Sequence, residues 1–182
     1  MTEMARLGAR GVYCICGVGG LPAGRVRPGA PVLHAALGQY RHYHGDFGRS
    51  AVLGEPSGEH RRRFQALRAG WDAIRPLLRP GTRYSELERT AIETVRTGGF
   101  PEFRYVTPHG LGLEHTDDPK PVGAQPGTKP DQVLEAGMVI NVDMPYTEIG
   151  WGSLHLEDTV LITADGHELL TTAGLDLRCV PG

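Results

Sequence analysis

The segments GMVINVDMPY (residues 137–146) and GSLHLEDTVLIT (residues 152–163) decide how the chain is read, because both are strand-like and both carry acids among apolar residues. A strand alternates its side chains between two faces. Over residues 138–144 this sets Val139, Asn141 and Asp143 on one face and Ile140, Val142 and Met144 on the other, where they suit a core. Over residues 153–163 Ser153, His155, Glu157 and Thr159 share a face, so Glu157 meets Asp143 if the two strands pair. Two carboxylates that close repel and retain a proton unless a cation separates them, and an imidazole among several carboxylates suits a divalent metal.

Working outward, two more segments carry ionisable groups beside turns or on strands. TPHGLGLEHTDDP (residues 107–119) holds His109 next to a glycine turn, and YHGDFGRS (residues 43–50) holds Asp46 on a strand predicted over 42–53. Alternation on that strand aligns His42, His44 and Asp46. Further strands are predicted over 12–16, 31–37 and 103–107, with a short return strand after Asp165-Gly166. Following the turn Gly54-Glu55-Pro56, Ser57 caps a helix whose Phe64, Leu67, Trp71, Ile74 and Leu78 form a buried stripe, and Pro76 kinks or ends its last turn. A second helix follows Pro80-Gly81, with Ser85 and Glu88 at capping-box spacing, Tyr84, Leu87, Ala91 and Val95 on one face, and Gly98-Gly99 as its stop. Residues 117–131, with Pro119, Pro121, Pro126 and Pro130, read as an irregular surface loop. Strands, two helices, then strands indicate an α+β fold with helices on one face of a largely antiparallel sheet.

The 182 residues make one domain's worth of chain, and 40% hydrophobic with 22% charged residues excludes a disordered polyelectrolyte. No apolar run approaches the ~20 residues of a spanning helix, so a soluble, cytoplasmic protein is expected, with no membrane partner. The 26 glycines and 14 prolines are scattered, which suits a loop-rich fold. A net charge of −2 provides no basic field for nucleic acid. The cluster Arg61-Arg62-Arg63 is expected on a solvated helix face, and His60 on a helix surface. Cys14, Cys16 and Cys179 are odd in number and lack a CxxC spacing, and they read as core or free thiols in a reducing compartment.

Together the phrases GDFGRSAVLGEPS (45–57), HGLGLE (109–114), AGMVINVD (136–143) and LEDTVLIT (156–163) resemble the pita-bread metallopeptidases: methionine aminopeptidase, aminopeptidase P, prolidase and creatinase. The resemblance covers residues 30–165. It implies a curved, largely antiparallel sheet with helices on its outer face, and metal ligands at Asp46, His109, Asp143 and Glu157. Asp143 stands where the family has its first Glu, while Asp46 and Glu157 match the bridging carboxylates. Manganese is the implied ion, with cobalt, iron or zinc as alternatives. Glu157, His115 and His155 are the candidate catalytic residues, the last as a substrate contact or a neighbour of the ligands.

The chain departs from the family pattern at three places. The family's first Asp ligand falls on Ala35, whose methyl group coordinates nothing, and the adjacent His34 lies on the opposite strand face. Thr116 occupies the place of a substrate-binding His, with His115 one position early. Residues 1–30 read as an incomplete N-terminal segment and 31–182 as the catalytic domain, which implies a shortened N-terminus. The expected function is a metal-dependent hydrolase of the aminopeptidase P and creatinase type, a homodimer acting on a peptide or another small C–N substrate and impaired by the loss at Ala35. The alternatives are an enzyme similar to the dimethylsulfoniopropionate lyases of the same fold, and an inactive protein of this fold.

Overall fold

The computed structural model describes residues 2–18, 25–117 and 131–181. Within them a five-residue helix α1 (Thr2–Arg6) precedes strands β1 (Arg10–Val18), β2 (Pro31–Tyr40) and β3 (Tyr43–Leu53). Helices α2 (Gly58–Ile74) and α3 (Tyr84–Thr97) follow, then β4 (Thr107–Gly110), β5 (Val139–Glu148), β6 (Gly152–Ile162), β7 (His167–Leu169) and β8 (Arg178–Val180). The sheet runs β1-β2-β3-β6-β5-β4, with β7 beside β6 and β8 beside β3. Only the β3–β8 pairing is parallel among the described strands, so the largely antiparallel expectation holds.

The two helices lie on one face because their apolar stripes match the strands' inner set. Phe64, Leu67, Trp71, Ile74, Tyr84, Leu87, Ala91 and Val95 pack with Ile140, Val142, Met144, Leu154, Leu156 and Val160 into one buried cluster. Gly70 lets the layers approach: a Cβ there would meet Val95 Cγ2 at 2.8 Å and Met144 Cε at 2.9 Å. Ser57 caps α2 in a capping box with His60, so the His60 ring is buried and packs against Trp151 rather than resting on the helix surface. Arg63 likewise leaves the expected solvated face. It is 7% exposed, bonded to Glu59 and Glu148, with its guanidinium 4.3 Å from the Trp151 ring. After Ile74, α2 gives way to a 3₁₀ turn over Arg75–Leu77 that contains Pro76.

Three further sequence expectations change. The capping box at Ser85 does not form: Arg83 is the N-cap of α3, and Asp131, 46 residues away, instead accepts from the Ser85 amide and hydroxyl at 3.1 and 2.5 Å. No strand forms over residues 103–106, because Phe103 and Val106 are spent as core plugs, and the ladder begins at Thr107. His42 is not on the strand. Arg41 and His42 are the two-residue turn of the β2–β3 hairpin, both at positive φ (50° and 72°), since the Tyr40–Tyr43 pairing leaves only those two residues to reverse the chain. The cysteine reading, by contrast, resolves to its free-thiol alternative: Cys14, Cys16 and Cys179 are free and exposed. The proline-rich stretch of the 117–131 loop falls outside the described residues.

A seam crosses the sheet where β3 meets β6, because their ladder contains a single pair, Gly48 with Glu157. Side chains make up the deficit. Thr159 Oγ1 donates to the Asp46 carbonyl at 2.6 Å, and Ser50 Oγ donates to the His155 carbonyl at 2.8 Å. Arg49, 4% exposed, donates to the carbonyls of Gly48, Glu157, Ala173 and Gly174 and to Asp158 Oδ1 at 2.7 Å. No helix among the described residues is long and apolar enough to cross a membrane.

Candidate metal centre

The seam gathers the acids on the face away from the helices. Each comes from a different strand: Asp46 from β3, His109 from β4, Asp143 from β5 and Glu157 from β6. The register does this directly. Asp143 is paired with Glu157 across β5–β6, Thr107 with Asp143 across β4–β5, and Gly48 with Glu157 across the seam. Asp46, His109 and Glu157 are 4%, 5% and 3% exposed, and with Asp143 they line a cavity of about 170 Å³. Tyr13, Ile15, Leu33, Ala35, His115, Pro145 and His155 complete its wall. All four predicted ligands are therefore brought together, with both predicted catalytic histidines beside them.

The hydrogen bonds leave specific atoms free. His109 Nδ1 donates to the Gly110 carbonyl at 3.0 Å, which fixes the tautomer with Nε2 bare, and burial pushes the ring's pKa down so that it stays neutral. Asn141 Nδ2 donates to Glu157 Oε1 at 2.6 Å, whereas Glu157 Oε2 and Asp46 Oδ1 are buried with no partner among the described residues. Burial first, then the charges of Asp143 and Asp46, lift the Glu157 pKa well above the carboxylate range. Buried carboxylate oxygens with neither donor nor solvent are costly unless a cation meets them. These residues fit a divalent ion by that criterion. Two donor clusters lie here, Asp46–His109–His115 and Asp143–His155–Glu157, each with its ligand atoms within 4.8 Å of one another.

His115 Nε2 donates to Asp46 Oδ2 at 2.8 Å and lies 3.4 Å from the Tyr13 hydroxyl, whose pKa burial raises to about 12. His155 Nε2 donates to Asp143 Oδ1 at 2.5 Å. Ala35 projects its methyl into the cavity wall, and His34, on the other face, contacts Cys14 Sγ at 3.2 Å instead. His44 bonds the Gly112 carbonyl and joins no donor cluster among the described residues. Sequence reasoning overlooked Tyr13, Thr107 and the bond from Asn141. Asn141 had a signal, since it shares a strand face with Asp143. Tyr13 had none, because its approach to the cavity depends on how β1 joins the sheet edge.

The model of metallopeptidase family M24 matches residues 4–164 of this chain, which therefore belongs to that family. An Xaa-Pro dipeptidase of Pyrococcus furiosus is 30% identical over 139 residues, 76% of this chain and 38% of the relative. An Xaa-Pro dipeptidase of Lactobacillus delbrueckii is 27% identical, covering 86% of this chain and 41% of the relative. The chain thus spans about two fifths of the length of these curated relatives. Among solved structures, the Pyrococcus furiosus prolidase superposes with a TM-score of 0.81 at 26% identity, over 90% of this chain and 50% of that one. An Xaa-Pro dipeptidase of Bacillus anthracis reaches 0.88 at 23% identity, over 98% and 52%, and bears on the fold alone. The fold is the pita-bread fold of these enzymes, and family membership implies use of a divalent metal.

Proposed function

We propose that the protein is a metal-dependent peptidase that hydrolyses short Xaa-Pro peptides, in the manner of aminopeptidase P and the Xaa-Pro dipeptidases. The observation that carries this reading is the pair of unpartnered buried oxygens, Asp46 Oδ1 and Glu157 Oε2, within one small cavity lined by the bare His109 imidazole. The names of the relatives support the substrate class. Asp46, His109, Asp143 and Glu157 hold the ion, with manganese favoured by the oxygen-rich donor set and cobalt, iron or zinc admitted by the imidazole. A divalent ion in this place supplies Lewis-acid polarisation of the scissile carbonyl and acidifies an attacking water.

The protein's own groups move the protons. The buried Glu157 carboxylate accepts the proton of the attacking water. His115 is 38% exposed by its side chain and bonded to Asp46, so it reaches the leaving nitrogen from the cavity mouth and returns a proton to it. His155 orients Asp143, while Ile15, Leu33 and Pro145 line one side of the cavity with apolar atoms. Ala35 adds no donor, so turnover is slow, and a homodimer is the working form.

The test is release of free proline from a panel of Xaa-Pro dipeptides by manganese-loaded protein. Proline release is expected, with kcat lowered about 10²–10⁴-fold in Glu157→Gln. Folded, metal-loaded protein that frees no proline from any member contradicts the proposal. Volatile sulfide from dimethylsulfoniopropionate in its place would move the assignment to an elimination.

A further inference from the structure

His155 is buried, 7% exposed, and its hydrogen bonding is incomplete. Nε2 reaches Asp143 Oδ1 at 2.5 Å and lies 3.6 Å from Glu157 Oε2, while Nδ1 has no partner among the described residues. A simple ion pair with Asp143 would leave both Glu157 Oε2 and His155 Nδ1 stranded in a buried site, which is costly for each. The chain has also made room for this ring. A Cβ on Gly48 would stand 2.4 Å from His155 Nδ1, 2.6 Å from its Cε1 and 2.7 Å from Glu157 Oε2, so only glycine admits the imidazole beside the seam carboxylate.

The neighbourhood explains what the ring replaces. Gly48 is paired with Ala35 on one side and with Glu157 on the other, so the His155 ring, lying over Gly48, flanks the wall position where Ala35 offers only a methyl. A carboxylate pair with one imidazole, all three ligand atoms within 4.8 Å, is a donor group able to hold a divalent ion.

We infer that His155 is itself a metal ligand, giving a nitrogen donor to a cation shared with Asp143 and Glu157. This rests on the metal-centre reading above and extends it, since no such role follows for a residue that only orients Asp143. The nitrogen donor moves the preference of the site from manganese towards cobalt and zinc, which bind imidazole more strongly.

The experiment is a Co²⁺ and Mn²⁺ titration of the full chain and of His155→Ala, with proton NMR of the cobalt forms, in which each cobalt-bound imidazole shows a strongly shifted, solvent-exchangeable N–H resonance. Expected in His155→Ala are one fewer shifted imidazole signal, cobalt affinity lowered at least about tenfold at one site, and a smaller preference for cobalt over manganese. Should the alanine variant fail to fold by circular dichroism, His155→Gln, which keeps a polar side chain beside Asp143, is read in the same way. If the variant keeps the wild-type affinity and signals while His109→Ala loses one, the metal centre stands and this inference falls. If the wild-type chain binds no cobalt, both fall.

Discussion

Glu157 lies between the charges of Asp143 and Asp46, and burial together with those charges moves its pKa from an ordinary 4.5 to about 9 in the cation-free protein. A carboxyl whose folded pKa is raised contributes stability that is complete below the unfolded value and is lost as pH rises through the folded one. Cation-free protein should therefore melt at progressively lower temperature between pH 5 and about 9, and Glu157→Gln should flatten that slope. Added Mn²⁺ should raise the melting temperature most at the alkaline end, where the carboxylates are ionised. Thermal melts across that range check all three, and an equal slope in wild type and Glu157→Gln would show that another group titrates. At this scale the four candidate residues that line the cavity were legible in the sequence, because strand alternation and short motifs single out Asp143, Glu157, Asp46 and His109 locally. Asn141 Nδ2 on Glu157 and the Tyr13 hydroxyl near His115 were not, because each depends on a partner brought in by the sheet.

Among the elements, the helices followed from their stripes, since apolar spacing and the Ser57 cap act within a few residues. Element ends set by distant partners did not. The α3 cap is supplied by Asp131, and β4 starts late because Phe103 and Val106 turn into the core. The β2–β3 turn offers a direct check on local strain, since His42 holds φ 72° with a β-carbon. His42→Gly should stabilise the fold by about 0.5–1 kcal/mol, read as a higher urea midpoint at unchanged slope. The seam between β3 and β6 gives the opposite case. Arg49→Met removes the donor that holds Asp158 and four carbonyls, leaving a buried carboxylate whose pKa burial already pushes up. A loss of about 3–5 kcal/mol is expected in the same urea experiment, and a loss below about 1 kcal/mol would mean that the seam does not rely on this clamp.

Across the whole molecule, the donors converge because the sheet is joined at one ladder pair. Strands β1, β2 and β3 bring Tyr13, Ala35 and Asp46 to the seam, and β4, β5 and β6 bring His109, Asp143 and Glu157. The order of Asp46, His109, Asp143 and Glu157 along the chain carried the family resemblance, and membership in metallopeptidase family M24 follows from the match over residues 4–164. The approach of His115 to Tyr13 at the cavity is less legible, because it arises through long-range pairing. The proposed function requires Asp46, His109, Asp143 and Glu157 to form one metal centre. Its most direct test is anomalous diffraction at the manganese edge from crystals grown with Mn²⁺. An anomalous peak is predicted inside this cavity, with carboxylate oxygens of Asp46, Asp143 and Glu157 and the His109 Nε2 at roughly 2.0–2.2 Å. Well-ordered crystals with all four side chains in place and no peak among them would contradict the account.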